Sequence, residues 1–95
     1  MTHDDSDARL LADLRSSLDR QPELGREALR LMIETNAHAV ELYDGGLAKY
    51  EAAVESDLDP AHFEDRREHR GMLVRLRDRH LSLFDELERE RARRA

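Results

Sequence analysis

The chain contains no cysteine, which excludes a disulfide framework, a thiolate metal site and a cysteine nucleophile. It contains no tryptophan, and aromatic residues make up 4% of it. That scarcity argues against a ring-lined ligand pocket. No apolar run approaches the roughly 20 residues that a membrane span requires. The opening Met1-Thr2-His3-Asp4-Asp5-Ser6-Asp7 is acidic and polar, the wrong chemistry for a signal peptide. The expectation from these absences is a cytoplasmic protein with no membrane partner.

Charge, by contrast, is abundant. Charged residues are 40% and hydrophobic residues 39% of the 95 residues, a balance typical of long helices with one apolar stripe. A chain this short makes one domain with a small core, here taken as residues 1–95, with 1–5 as a flexible start and 92–95 as a frayed end. The net charge of -6 is uneven: residues 1–59 carry 14 acids and 6 bases, and residues 60–95 carry 8 acids and 10 bases. Attraction between the two parts is the simpler consequence, and nucleic-acid binding by the arginine-rich end is the sharper one. Acids interleave those arginines throughout, which weakens it.

Proline occurs only at positions 22 and 60, and each suits the first position of a helix. A first helix is expected over about 7–20, capped by Ser6 and carrying Leu11, Leu14 and Leu18 at helical spacing. A second is expected over about 22–56. Its residues Leu29, Ile33, Asn36, Val40, Tyr43, Leu47, Tyr50 and Val54 alternate steps of four and three, a heptad seam. Gly45-Gly46 interrupts its propensity but not its phase. Adjacent glycines cost about 2 kcal/mol relative to alanines, so either a kink or a close neighbour is expected there. Asp59-Pro60 caps and starts a third helix over about 60–91, whose seam reads Leu73, Leu76, His80, Leu83 and Leu87.

The reading is an all-α fold: a long antiparallel helical hairpin preceded by a short helix. Folding back beside Pro60 after a turn at about Ser56 to Asp59 sets Leu29 against Leu87 and Ile33 against Leu83. It also sets Asn36 against His80, Tyr43 against Leu73 and Tyr50 against Arg66. Asn36 and His80 are the lone polar residues of their stretches. Left unpaired in a core each costs about 1–3 kcal/mol, and paired they fix the register. Tyr50 and Arg66 are expected to stack or hydrogen-bond near the turn. The short first helix cannot cover the whole apolar surface. Met32, Ala39 and Leu42 on the second helix, with Val74, Leu81 and Phe84 on the third, are expected to form a surface for a second copy or a protein partner. A homodimer forming a four-helix bundle follows.

Metal chemistry is the competing expectation. Asp65 and His69 stand four apart on one helix face, with Glu51 across the turn as a third ligand, types that hold iron, zinc or manganese. Glu34, His38 and Glu41 form a weaker set on the outer face of the second helix. The run Tyr43-Asp44 followed by Glu68-His69 and Met72 resembles the encapsulated ferritins over residues 43–72. The resemblance implies a ferroxidase centre assembled between subunits; Asn36 and Arg66 stand where that pattern carries acids. Three functions thus compete: a non-enzymatic homodimeric interaction or adaptor protein, a ferritin-like metal-binding bundle, and an arginine-mediated nucleic-acid binder.

Overall fold

The computed structural model describes residues 3–56 and 59–95. Among them there are three α-helices and no strand: α1 His3–Arg20, α2 Pro22–Ser56 and α3 Phe63–Arg93, the last preceded by a 3-10 turn at Pro60–His62. None of these helices is long and apolar enough to cross a membrane. The turn expected at Ser56 to Asp59 falls largely outside the described residues.

α1 begins four residues earlier than its cap-based reading and takes in part of the start expected to be flexible. Asp5 and Asp7 in its first turns complement the positive end of the helix dipole. At the third helix, the Asp59 carboxylate accepts a 2.9 Å hydrogen bond from the Ala61 amide. The first three residues of that helix wind as a 3-10 turn. α2 runs unbroken through Gly45 and Gly46. A Cβ built at either glycine meets nothing within 4 Å, so no close neighbour requires them.

Gly25 is the glycine that does matter. A Cβ there would lie 2.7 Å from Leu18 Cα and 2.8 Å from Leu18 N. The missing side chain lets the backbones of α1 and α2 touch just after the break at Gln21-Pro22. On this contact Leu14 and Leu18 of α1 join Leu29 and Ile33 of α2 and Leu83 and Leu87 of α3 in the core, with Leu11, Ala28, Met32 and Phe84 packed around it.

All the burial lies at that end. Between Asn36 and Leu83 no described residue is buried. The molecule is a rod, 57 × 26 × 17 Å. At 1.5 Å per residue α2 is about 52 Å long and α1 about 27 Å, so α1 reaches about halfway. The other half is an arm of α2 and α3 alone. Along it the partners of rising α2 residues are falling α3 residues: Tyr43 stacks on His80, Asp44 pairs with Arg77, Tyr50 lies tilted against His69 and Glu51 pairs with Arg70.

Candidate functional site

Where α2 and α3 leave the core, three side chains form a polar layer. Asn36 is 6% exposed. Its Nδ2 donates to the Met32 carbonyl at 2.8 Å, and its Oδ1 stands 2.9 Å from His80 Nδ1. The Met32 carbonyl only accepts, which orients the amide. Oδ1 therefore faces the ring, and His80 Nδ1 must carry the proton it donates. Tyr43 covers the ring in a stacked arrangement, centroids 5.7 Å apart and planes at 21°. The buried amide is thereby satisfied on both atoms.

The second expected pair is rearranged. Tyr50 lies tilted against His69, centroids 5.2 Å apart and planes at 32°, and its buried hydroxyl has no hydrogen-bond partner among the described residues. The Arg66 guanidinium instead lies over the Phe63 ring, 4.6 Å from its centroid, and reaches the Asp59 carbonyl at 3.5 Å. Tyr43 likewise meets His80 where Leu73 was expected. Both partners lie later in α3 than expected, by three residues for Tyr50 and seven for Tyr43, while Asn36 keeps His80.

The expected metal set does not assemble. Glu51 accepts from Arg70 Nε at 3.4 Å, and Asp65 and His69 remain a pair of potential ligands. Among the described residues no three His, Asp or Glu side chains are placed to hold one ion. Glu34 of the weaker set takes Arg30 at 2.8 Å, and Glu34, His38 and Glu41 are all exposed.

The six residues expected to form one docking surface are divided. Met32 packs beside the α1 core, and Ala39 and Leu42 follow it along α2 at three- and four-residue steps. Val74 stands between Arg70 and Arg77 on α3, and Leu81 one turn further. Those arginines bind Glu51 and Asp44, so Val74 and Leu81 lie on the opposite side of the α2/α3 pair. Phe84 is drawn into the core. Leu42, at 62% exposed, is the barest of the six.

Pattern reading also missed Glu90, a carboxylate only 3% exposed. Arg93, Arg94 (2.7 Å) and Arg15 of α1 (3.0 Å) all donate to it. These hydrogen bonds, Arg93's foremost, hold its carboxyl well below the usual range, down to about 2. Arg94 also binds Asp19 at 2.9 Å, and Arg79 grips Asp7 through two nitrogens at 3.1 and 3.3 Å. α1 is thus tied to α3 at both ends. Arg89 and Arg91 are bound to Glu86 and Glu88. The arginines of the tail are each matched to a carboxylate, which leaves little uncompensated positive charge for a phosphate backbone. The available signal was Glu90 standing in phase with Leu83 and Leu87 on the seam.

No family profile, curated protein or solved structure matches this chain.

Proposed function

We propose that this protein is a non-enzymatic helical interaction protein that acts as a homodimer, its antiparallel α2/α3 hairpins joining as a four-helix bundle. The observation that carries the reading is the arm. Beyond the contact of Asp7 in α1 with Arg79, α2 and α3 pack there with no third element among the described residues, and none of their described residues between Asn36 and Leu83 is buried. Two helices side by side leave each apolar stripe wet along one edge, and bundles cure this by adding helices. Leu42, Phe63 and Met72 on the arm are 62%, 50% and 43% exposed, more apolar surface than a monomer of this size ordinarily leaves in water.

The interaction role draws on a second strip. Leu24 and Leu31 on α2 are 66% and 48% exposed, seven residues apart on one face. That spacing suits an amphipathic helix of another protein. Light scattering after size exclusion at micromolar concentration tests the dimer. A mass of twice the 11.1 kDa chain is expected, and a clean single-chain mass would remove the reading.

A further inference from the structure

The residues at three- and four-residue steps along the arm of α3 are Asp65, Glu68, Met72, Arg75 and Arg79. They share one face. It is not the face turned to α2, which carries His69 and His80. It is continuous with the side on which α1 lies, because Arg79 holds Asp7 of α1. An open groove of about 820 Å³ runs along this stripe, lined by Asp65, Glu68, Gly71, Met72 and Arg75, with Arg67 and His69 at its borders. Among the described residues, Asp65, Glu68 and Arg75 enter no ion pair within the chain.

Charge along the stripe reverses about its middle. Two acids precede Met72, by four and seven residues, and two bases follow it, by three and seven. A second α3 laid antiparallel, Met72 against Met72, brings Glu68 opposite Arg75, and two-fold symmetry repeats the pair; Asp65 comes opposite Arg79, which Asp7 already holds. A parallel copy sets acid against acid and base against base. The stripe therefore suits a second copy of itself in one orientation. α2 supplies the apolar part beside it. Ala39, Leu42 and Gly46 continue the strip of Gly25, Ala28 and Met32 on which α1 is seated, and the space over Gly46 is open. Gly46 and Met72 both lie between the two tyrosine–histidine contacts. The arm is about 30 Å long and roughly 20 Å across two helices. Self-contact therefore covers about 1,200 Å² in total, the lower bound of stable interfaces.

We infer that the two copies meet through this face, arms antiparallel, with the two-fold axis passing beside Met72 and Gly46 and Glu68 paired to the partner's Arg75. The inference rests on the homodimer reading and specifies its interface. The test uses the full chain in sedimentation equilibrium at low salt, with Glu68→Arg and Arg75→Glu variants checked for unchanged helicity. Each single variant sets like charges opposite one another twice, and dimerisation is expected to weaken about tenfold or more. An equimolar mixture of the two singles should form a heterodimer as tight as the wild type, and Glu68→Arg/Arg75→Glu in one chain should restore the homodimer. Met72→Cys, the only thiol in such a chain, should oxidise to a linked dimer. A wild-type dimer that ignores the single substitutions, or a mixture that gains nothing, overturns this interface while leaving dimerisation intact. A wild-type monomer overturns both.

Discussion

Gly25 and Glu90 are both buried and support the fold by different means. Gly25 is buried because the α1 backbone presses on it. Gly25→Ala drives a Cβ into Leu18 main-chain atoms that cannot rotate away, and a loss of about 1–3 kcal/mol is expected from urea unfolding. Gly45→Ala is the control: the added methyl meets open space and should gain about 1 kcal/mol by helix propensity alone. Glu90 makes stability depend on pH. Its folded carboxyl titrates near 2 instead of the ordinary 4.5. The stabilisation is therefore complete above pH 4.5 and is lost as pH falls from there through about 2. The loss is at most about 3 kcal/mol. Unfolding midpoints across that window should fall in the wild type and flatten in Glu90→Gln. Neither residue was legible as important. A glycine near a helix start and a glutamate among arginines look ordinary until a neighbouring helix is brought against them.

At the scale of the elements, helix spans were readable because their causes are local. Asp59 caps and Pro60 starts the third helix within one turn of each other, and Pro22 separates α1 from α2 in the same way. Pairing between helices is a different matter. The Asn36–His80 layer is where α2 and α3 meet through a polar contact inside an apolar stretch, so it resists sliding by a turn. Asn36→Leu leaves the His80 ring without its acceptor and should cost about 1–3 kcal/mol. The double substitution Asn36→Leu/His80→Leu should recover most of that loss in a thermal melt. If the double variant is no more stable than the single, the two side chains do not act as a pair. Further along the arm the ring partners moved by one to two turns from the heptad expectation: Tyr50 left Arg66 for His69 and Tyr43 met His80. The heptad phase is nearly the same after such a slide, so the apolar pattern discriminates weakly between the two arrangements.

For the whole molecule, a buried end and a bare arm divide the rod. If the arm is completed by a second copy, folding and association are linked, and the melting temperature must rise with protein concentration. A melting temperature constant over a hundredfold dilution counts against that linkage. The all-helical class, the breaks at Pro22 and Pro60 and the apolar seams were determined by the sequence itself, because periodicity, capping and proline geometry act within a turn or two of the chain. Only the tertiary structure decided that Glu90 is buried, that Gly25 is a contact point, that Tyr50 faces His69 and that the expected docking residues fall on two sides. Each of these depends on how far one helix slides and turns against another, and seams repeating every seven residues leave that choice to a few side chains.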